Sequence, residues 1–311
     1  MNENNKTTVA YFVLSGVSDV PELQVPIFLL VLHIYLTTLG GNLIIILLVC
    51  LDSHLHTPMY FFLCNLSVID ICSTTVTLHK ILVNFVTGNN EVSFIGCMMQ
   101  VYFFTWLTCA DLMLLTAMGY DRYVAVCKPL YYTTIMNCNV CAGLAIFCWV
   151  LSLLQMIPST VIISQFSCYT SNIINHFFCD LIPLMNLTCS DTSVLELLIF
   201  TDGGLVVTFT PFFLTFISYV FIIMTIMKIK TSTGRSKAFY TCSSHVTAVV
   251  LLYTTLICQY LTPSGTFKSS KLLSLFNTAV VPMLNPFIYS LKNKDVKSAM
   301  QKKLKYVIST V

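Results

Sequence analysis

The sequence predicts an all-α membrane protein: a bundle of seven transmembrane helices followed by a short amphipathic helix. Its 311 residues are 56% hydrophobic and 9% charged, whereas a soluble globular domain carries roughly 25% charged residues. Seven apolar segments reach the length of about 20 residues that a helix needs to cross about 30 Å of hydrocarbon. We predict spans at residues 24–50, 58–81, 97–127, 140–164, 195–228, 238–261 and 270–291.

The basic residues give the chain a direction. Most of them lie at alternate ends of the spans or after the last one, and positive charge marks the cytosolic side. We therefore expect an extracellular N-terminus over residues 1–23, a transmembrane domain over 24–291 and a cytoplasmic tail over 292–311. The first twenty residues lack the pattern of a cleaved signal peptide. The basic residues in question are Arg122, Lys128, Lys228, Lys230, Arg235, Lys237 and the six lysines from Lys292 to Lys305.

Two further sequence features distinguish the predicted extracellular face from the predicted cytosolic face. Asn5 begins an Asn-Lys-Thr glycosylation acceptor on the predicted outside. The basic segment after the last span has apolar residues at helical spacing, which is typical of a helix lying on the inner leaflet. Those apolar residues are Val296, Met300, Leu304 and Val307.

The third span is the best defined, because Cys97 and Arg122 lie 25 residues apart, or about 37 Å of helix. Arg122 belongs to the stretch Met118–Tyr132, which reads MGYDRYVAVCKPLYY. The pair Asp121 and Arg122 could be an interfacial anchor, since arginine and tyrosine often lie where lipid meets water. It could also be a conformational switch, and the charge pair alone does not decide between these two interpretations.

Four polar side chains fall inside predicted spans, where a carboxylate costs about 2.5–3.5 kcal/mol. They could form a structural hydrogen-bond network between helices, or a sodium or proton site whose occupancy biases one conformation. Proline also falls inside spans, at Pro211, Pro282 and Pro286, where it permits a passive bend or a hinge. Asn285 could satisfy a carbonyl freed by Pro286. The four polar residues are Asn42, Asp70, Asp111 and Asn285.

Ten of the fourteen cysteines lie in spans or on the cytosolic side, where they act as small apolar fillers. The other four face the oxidising side and allow three disulfide pairings, between which spacing cannot choose. The spacing is not that of a zinc site, and no nucleophile with a base and an orienting group is visible. The four cysteines are Cys97, Cys168, Cys179 and Cys189.

Taken together, several stretches resemble the odorant receptors, a family of rhodopsin-like G-protein-coupled receptors. The similarity covers essentially the whole chain. An isolated Asp-Arg-Tyr triplet is weak evidence, but the long strings together are specific. They are Gly41-Asn42, Leu55–Asp70 (LHTPMYFFLCNLSVID), Met118–Tyr132, His176–Asp180 (HFFCD), Ser218-Tyr219, Lys237–Thr247 (KAFYTCSSHVT) and Pro282–Asn293 (PMLNPFIYSLKN).

The resemblance implies roles for individual residues. Arg122 would be held by Asp121 at rest and released towards a G protein, with Tyr123, Tyr219, Asn285, Pro286 and Tyr289 completing the switch. Asp70 and Asp111 would belong to the inner polar network that can hold sodium. Cys97 would pair with Cys179, and Cys168 with Cys189. Tyr253 would be the aromatic trigger below the ligand pocket. Departures from the family pattern are Gly119 for alanine, Val126 for isoleucine, Thr254 for glycine and Asp111 for glutamate.

Helical spacing predicts a ligand pocket among spans three, five, six and seven. Each of its residues could equally serve plain helix packing. Apolar walls with a few hydroxyl groups suit a small, volatile, weakly polar ligand. Phe104 stands where an amine-binding carboxylate of the third span would lie, which argues against an amine. The predicted pocket residues are Phe104, Thr105, Thr108, Gly203, Val207, Tyr253, Leu256, Ile257, Tyr260, Leu275 and Thr278.

We therefore expect an odorant receptor that activates a stimulatory, olfactory-type G protein and raises cyclic AMP. It would lie in the plasma membrane of olfactory sensory neuron cilia, in contact with lipid and with an export chaperone. It would be no enzyme, bind no nucleic acid and need no cofactor beyond a structural sodium ion. A metabolite sensor of the same fold in another tissue is an alternative. A transporter is another, although no inverted repeats or paired broken helices are visible.

Overall fold

The computed structural model describes residues 9–18, 20–260, 270–291 and 296–303. Within these ranges seven helices are long and apolar enough to cross a membrane, one for each predicted span. We call the end of the bundle that carries Cys97 the disulfide end, and the opposite end the Arg122 end. The seven helices are Pro21–Leu51, Pro58–Thr87, Phe94–Cys127, Cys138–Ser164, Ser193–Lys228, Ser232–Cys258 and Lys271–Tyr289.

Local capping explains where several spans begin and end. The second span continues past the predicted residue 81 to Gly88, which ends it in the left-handed conformation at φ +68° that glycine adopts without strain. The third span begins early because the Ser93 hydroxyl accepts a hydrogen bond from the Gly96 N–H at 3.1 Å. Asn137 caps the fourth span in the same way, by accepting from the Val140 N–H at 3.0 Å.

Three spans are not uniform α-helices. The fourth consists of Cys138–Gln155 and Ile157–Ser164. The fifth has a widened π-helical segment, Ile199–Phe209, between Ser193–Leu198 and Thr210–Lys228. Pro211 lies at the start of the last segment and has no N–H to continue the earlier pattern. The seventh is widened over Phe276–Val280, between Ser270–Leu275 and Val281–Leu291.

A small three-stranded sheet covers the disulfide end, which the all-α prediction missed. Strand β1 (Tyr11–Leu14) lies between β2 (Glu91–Ser93), to which it is antiparallel, and β3 (Ile173–Ile174), to which it is parallel. Phe12 and Leu14 are fully buried, with their neighbours facing outwards. The sheet therefore ties the N-terminal segment to two loops. The remaining short helices are Ser53–Leu55, Pro129–Tyr131, Tyr132–Ile135 and Leu181–Met185.

The described part of the tail, residues 296–303, is helical. Val296 and Ala299 are buried in the main core cluster, and Met300, one of the predicted apolar-face residues, is 44% exposed. The position of this helix on the inner leaflet stays a prediction. Leu304 and Val307 lie outside the described residues.

The third span is the centre of the bundle and contacts the second, fourth, fifth and sixth spans. Large apolar side chains on the outer faces of other spans are exposed in the isolated chain, among them Leu47, Phe147 and Phe216. Such a continuous apolar surface requires hydrocarbon rather than water around it. Asn65, whose sequence also matches a glycosylation acceptor, lies inside this bundle and accepts from Trp149 Nε1 at 3.0 Å.

Candidate functional site

Asp121 and Arg122 form a buried ion pair at the Arg122 end. Arg122 Nη2 lies 2.8 Å from Asp121 Oδ2, and the hydroxyl of Tyr132 donates to Asp121 Oδ1 at 2.7 Å. Arg122 is only 8% exposed, so its guanidinium does not lie in the position that an interfacial anchor requires. Burial and the charge of Asp121 raise the pKa of Tyr132, so this phenol stays protonated and can donate. Both carboxylate oxygens of Asp121 are thus occupied.

A second polar link joins three spans about two turns before Arg122 along the third span. The Tyr219 hydroxyl lies 2.7 Å from Nδ1 of the buried His245, whose Nε2 lies 2.8 Å from the carbonyl oxygen of Leu115. A carbonyl only accepts, so Nε2 carries the proton and Nδ1 accepts from Tyr219. His245 therefore connects spans three, five and six. Nothing in the local sequence around His245 reveals these distant partners.

The other predicted switch tyrosines make different contacts. Tyr123 packs edge-on against Phe221, with ring centroids 6.0 Å apart, and Lys128 Nζ lies 6.0 Å from the Tyr123 ring centroid. Tyr289 is fully buried, and its hydroxyl has no hydrogen-bond partner among the described residues.

Buried polar residues of the second and third spans lie close to the seventh span. Asn285 Nδ2 lies 3.1 Å from both carboxylate oxygens of Asp70. Asp70 and Asp111 line a common cavity of about 20 Å³ together with Thr278, which was predicted to lie in the ligand pocket. Asp111 Oδ1 is buried and has no partner within the described chain. The cavity brings two acidic side chains together, with an oxygen free to accept a proton or an ion.

Pro286 frees a carbonyl in the seventh span, but Asn285 does not satisfy it. A proline has no N–H, so the oxygen of Pro282, four residues earlier, loses its helical donor. Asn42 Nδ2 of the first span lies 3.5 Å from that oxygen. The expectation that Asn285 satisfies this carbonyl was therefore wrong, because its amide donates to Asp70. The freed carbonyl is approached from the first span instead.

A cavity of about 460 Å³ lies between spans three, four, five and six, below the loop after span four. Eight of the eleven predicted pocket residues line this cavity. Its hydroxyl groups on the third span already donate to their own helix, Thr105 to Val101 and Thr108 to Phe104. The predicted residues that line it are Phe104, Thr105, Thr108, Gly203, Val207, Tyr253, Leu256 and Ile257.

The seventh span does not close this cavity, contrary to the prediction. Phe177 and Phe178 of the loop are fully buried and, with Phe104, form a cluster against which Leu275 packs. Leu275 therefore packs against this cluster and does not line the cavity. Thr278 is likewise absent from its lining and donates to the Ser274 carbonyl at 2.8 Å. The side chain of Tyr260 lies outside the described residues.

Sequence reasoning missed the acidic part of the cavity wall. Asp202, at the widened turn of the fifth span, lines the cavity, and its Oδ1 accepts from Gln155 Nε2 at 2.8 Å. Gln155 Oε1 in turn lies 4.0 Å from Cys109 Sγ. The sequence signal that could have identified Asp202 is an acidic residue within an otherwise apolar span. The other lining residues not predicted include Ser159, Thr160, Asp180, Asn186, Glu196, Phe200, Phe209 and Phe212.

Two disulfides hold the loop above the cavity. Cys97 pairs with Cys179, and Cys168 with Cys189, as the family resemblance implied. Gln100 Oε1 of the third span accepts from the Cys179 N–H at 2.9 Å, which fixes the loop further. Asn5, the predicted glycosylation site, lies outside the described residues.

The loop also buries two titratable groups. Burial, with the nearby positive charge of Lys271, lowers the pKa of His176 to about 4. Burial raises the pKa of Asp180 to about 6, although its Oδ1 accepts from the Leu181 N–H at 2.8 Å. Both groups thus favour their neutral forms in the folded loop.

Comparison with known proteins decides the family. A sequence model described as "Olfactory receptor" matches residues 31–306. The chain belongs to the olfactory receptor family. It is 45% identical to "Olfactory receptor 8A1" of Mus musculus over 307 residues, which cover 98% of this chain and 99% of that protein. It is 44% identical to "Olfactory receptor 5G3" of Homo sapiens over 306 residues, covering 98% and 97%.

A solved structure supports the fold independently. Squid rhodopsin superposes with a TM-score of 0.72 over 93% of this chain and 83% of that one, at 18% identity. At this identity the likeness shows the fold alone. Olfactory receptors are G-protein-coupled and are not enzymes, so the chain is a multi-pass membrane receptor. This excludes the transporter and enzyme interpretations.

Proposed function

We propose that this receptor binds small, largely apolar odorants in the 460 Å³ cavity and activates a stimulatory, olfactory-type G protein that raises cyclic AMP. One observation carries the proposal: the cavity and the buried ion pair are built on opposite halves of one helix. Phe104 and Arg122 lie 18 residues apart on the third span, or about 27 Å of helix. A ligand and an intracellular partner can therefore act on the same rigid element from opposite ends.

The sixth span offers the connection between the two ends. Tyr253 lines the cavity, packs edge-on against Phe212 with ring centroids 5.2 Å apart, and has a buried hydroxyl without a partner in the described chain. His245 lies about two turns further along the same helix and bonds Tyr219. A ligand that moves Tyr253 would shift this helix, break the His245 contacts and favour release of Arg122. Efficacy then requires tighter binding to the released state.

For the acidic cavity we propose a sodium ion as a structural ligand. The residues fit a hard cation, because the cavity brings carboxylate oxygens of Asp70 and Asp111 together, and Asp111 Oδ1 has no described partner. Bound sodium would supply positive charge that lets both carboxylates ionise. A sodium titration of the thermal stability of purified receptor tests this. An increase that is lost in Asp111→Asn supports the site, whereas no increase leaves a hydrogen-bond network.

We also propose the orientation that positive charge implies. Lys128, Lys228, Lys230 and Arg235 lie at the Arg122 end, and both disulfides lie at the other end, as expected for an oxidising exterior. The N-terminus would then be extracellular and glycosylated, and the C-terminus cytoplasmic. The receptor would act in the plasma membrane of olfactory sensory neuron cilia, with surrounding lipid and an export chaperone as further partners.

The decisive experiment screens an odorant panel against the surface-expressed receptor with a cyclic-AMP reporter. Arg122→Ala should abolish ligand-dependent cyclic AMP at equal surface labelling, because no guanidinium remains to engage the G protein. Lys128→Ala is the matched control, since it removes an exposed positive charge from the same end. An undiminished response in Arg122→Ala, or an equal loss in both variants, would contradict the proposed role.

A further inference from the structure

Asp202 places a carboxylate in the wall of the ligand cavity, well below the disulfide end. Its partner Gln155 is linked to Cys109, which lies 12 residues along the third span from Cys97. That spacing corresponds to about 18 Å of helix, roughly mid-depth in a bilayer. Gly203 and Gly204 follow Asp202 and line the same cavity, so the next two residues of the widened segment place no side chain in front of the carboxylate.

Among the described residues, the lining of the cavity supplies no positive charge to balance this group. Its charged lining residues are Asp180, Glu196 and Asp202, and no lysine, arginine or histidine appears among the described lining residues. The described hydrogen bond to Asp202 comes from a neutral amide, that of Gln155. A carboxylate in an apolar wall is costly unless a cation accompanies it. A ligand that carries a positive charge would supply the cation that the described part of the wall lacks.

The other two carboxylates are poorer candidates for this role. Asp180 is buried in the loop, where its Oδ1 caps the short helix Leu181–Met185. Glu196 is exposed at the rim, and its Oε1 accepts from the Thr192 hydroxyl at 2.6 Å. Asp202 is the one that combines membrane depth, a position in the cavity wall and a neutral partner.

The surroundings define the rest of the ligand. Beyond Asp202 the wall is formed by Val207, Phe212, Tyr253 and Leu256, which favour an aliphatic body. We propose that the cavity selects aliphatic amines, with the ammonium group of the ligand bound to the Asp202 carboxylate and its hydrocarbon chain directed towards Tyr253. This narrows the ligand class of the function proposed above and rests on the same cavity. It replaces the argument against amines, which considered only the third span.

The test compares octylamine with octan-1-ol, which has a similar length but no charge. A charge-assisted bond is typically worth a tenfold to hundredfold difference in affinity. The receptor should therefore respond to the amine at roughly tenfold lower concentration than to the alcohol. Asp202→Asn keeps an oxygen for Gln155 but removes the charge. We expect it to weaken the amine response at least roughly tenfold and to change the alcohol response less than about threefold.

One control variant and a second readout separate this inference from the signalling proposal. Asp191→Asn removes an exposed carboxylate at the same end, outside the cavity lining, and should leave both ligands unaffected. Ligand-induced thermal stabilisation of purified receptor measures binding without a G protein. Stabilisation by octylamine that depends on Asp202, without cyclic AMP, would support the amine site and contradict the signalling proposal.

Other outcomes overturn the inference. Alcohol-driven cyclic AMP without any stabilisation by octylamine would leave the receptor function standing and refute the amine site. An unchanged amine response in Asp202→Asn would also refute it. A parallel loss of amine and alcohol responses in that variant would assign Asp202 a structural role in place of ligand recognition.

Discussion

Replacing Tyr132 with phenylalanine should raise the basal activity of the receptor. The Tyr132 hydroxyl donates to Asp121 Oδ1 at 2.7 Å, and Asp121 holds Arg122 through its other oxygen. The substitution removes one hydroxyl group and keeps the ring. Asp121, which is fully buried, then loses one of its two described donors. The resting ion pair becomes less stable relative to an arrangement in which Arg122 is released.

The size of the effect follows from the charge of the acceptor. A hydrogen bond to a charged group contributes about 1.5–3 kcal/mol, and each 1.4 kcal/mol is a factor of ten in an equilibrium constant. If the bond exists only in the resting arrangement, its loss shifts the resting-to-active equilibrium by roughly tenfold to hundredfold. A receptor that is about 0.1% active at rest would become about 1–10% active.

Basal cyclic AMP, normalised to surface labelling, measures this shift. Tyr131→Phe is the matched control, because the neighbouring tyrosine is 65% exposed and does not bond Asp121 among the described contacts. It should leave basal activity unchanged. A fall or no change in Tyr132→Phe at normal surface level would refute the reasoning, as would an equal rise in the control.

Two further predictions concern stability, measured by thermal unfolding of the purified receptor. Gly119→Ala should stabilise by about 0.5–1 kcal/mol, since the added Cβ meets its nearest atoms at 3.5 Å or more. Gly41→Ala should destabilise by about 1–3 kcal/mol, because its Cβ would lie 3.1 Å from the rigid ring of Pro286; equal effects at the two glycines would contradict this packing. In Asp180→Asn, stability should fall as pH drops from about 6.5 to about 4, by up to about 3 kcal/mol, because the pKa of His176 is lowered to about 4 in the folded loop. The parent should lose less, since the pKa of Asp180, raised from 3.8 to about 6, makes stability rise as pH falls through that range; a flat profile in the variant would count against the buried histidine.

Hydropathy and charge were sufficient to predict the seven spans, because the thickness of hydrocarbon sets the length of each apolar segment. The face of the third span that lines the cavity was also predictable, since that helix is regular and its spacing holds from Phe104 to Thr108. The fifth span is different. Its widened turn over Ile199–Phe209 rotates side chains away from regular α-helical positions. Gly203 and Val207 in this segment were nevertheless predicted correctly, whereas Asp202 was missed although its charge within an apolar span was a visible signal.

The errors at the seventh span have a different origin. Leu275 packs instead against a cluster that contains Phe177 and Phe178, which belong to a loop about 100 residues earlier in the chain. The Cys97–Cys179 disulfide fixes that loop, and cysteine spacing alone left its pairing open. Contacts of this range depend on how the loop folds back. A pattern within one helix carries no information about them.

Some buried polar groups of the resting bundle lack hydrogen-bond partners within the described residues. This affects how easily a ligand can shift the bundle to its active state. The hydroxyl groups of Tyr289 and Tyr253 are buried without described partners. An unsatisfied buried polar group costs about 1–3 kcal/mol. A rearrangement that gives any of them a partner recovers part of this cost and offsets the loss of the Asp121–Arg122 contact. The two states can then differ by only a few kcal/mol, which is the range that the differential affinity of a small ligand can overcome.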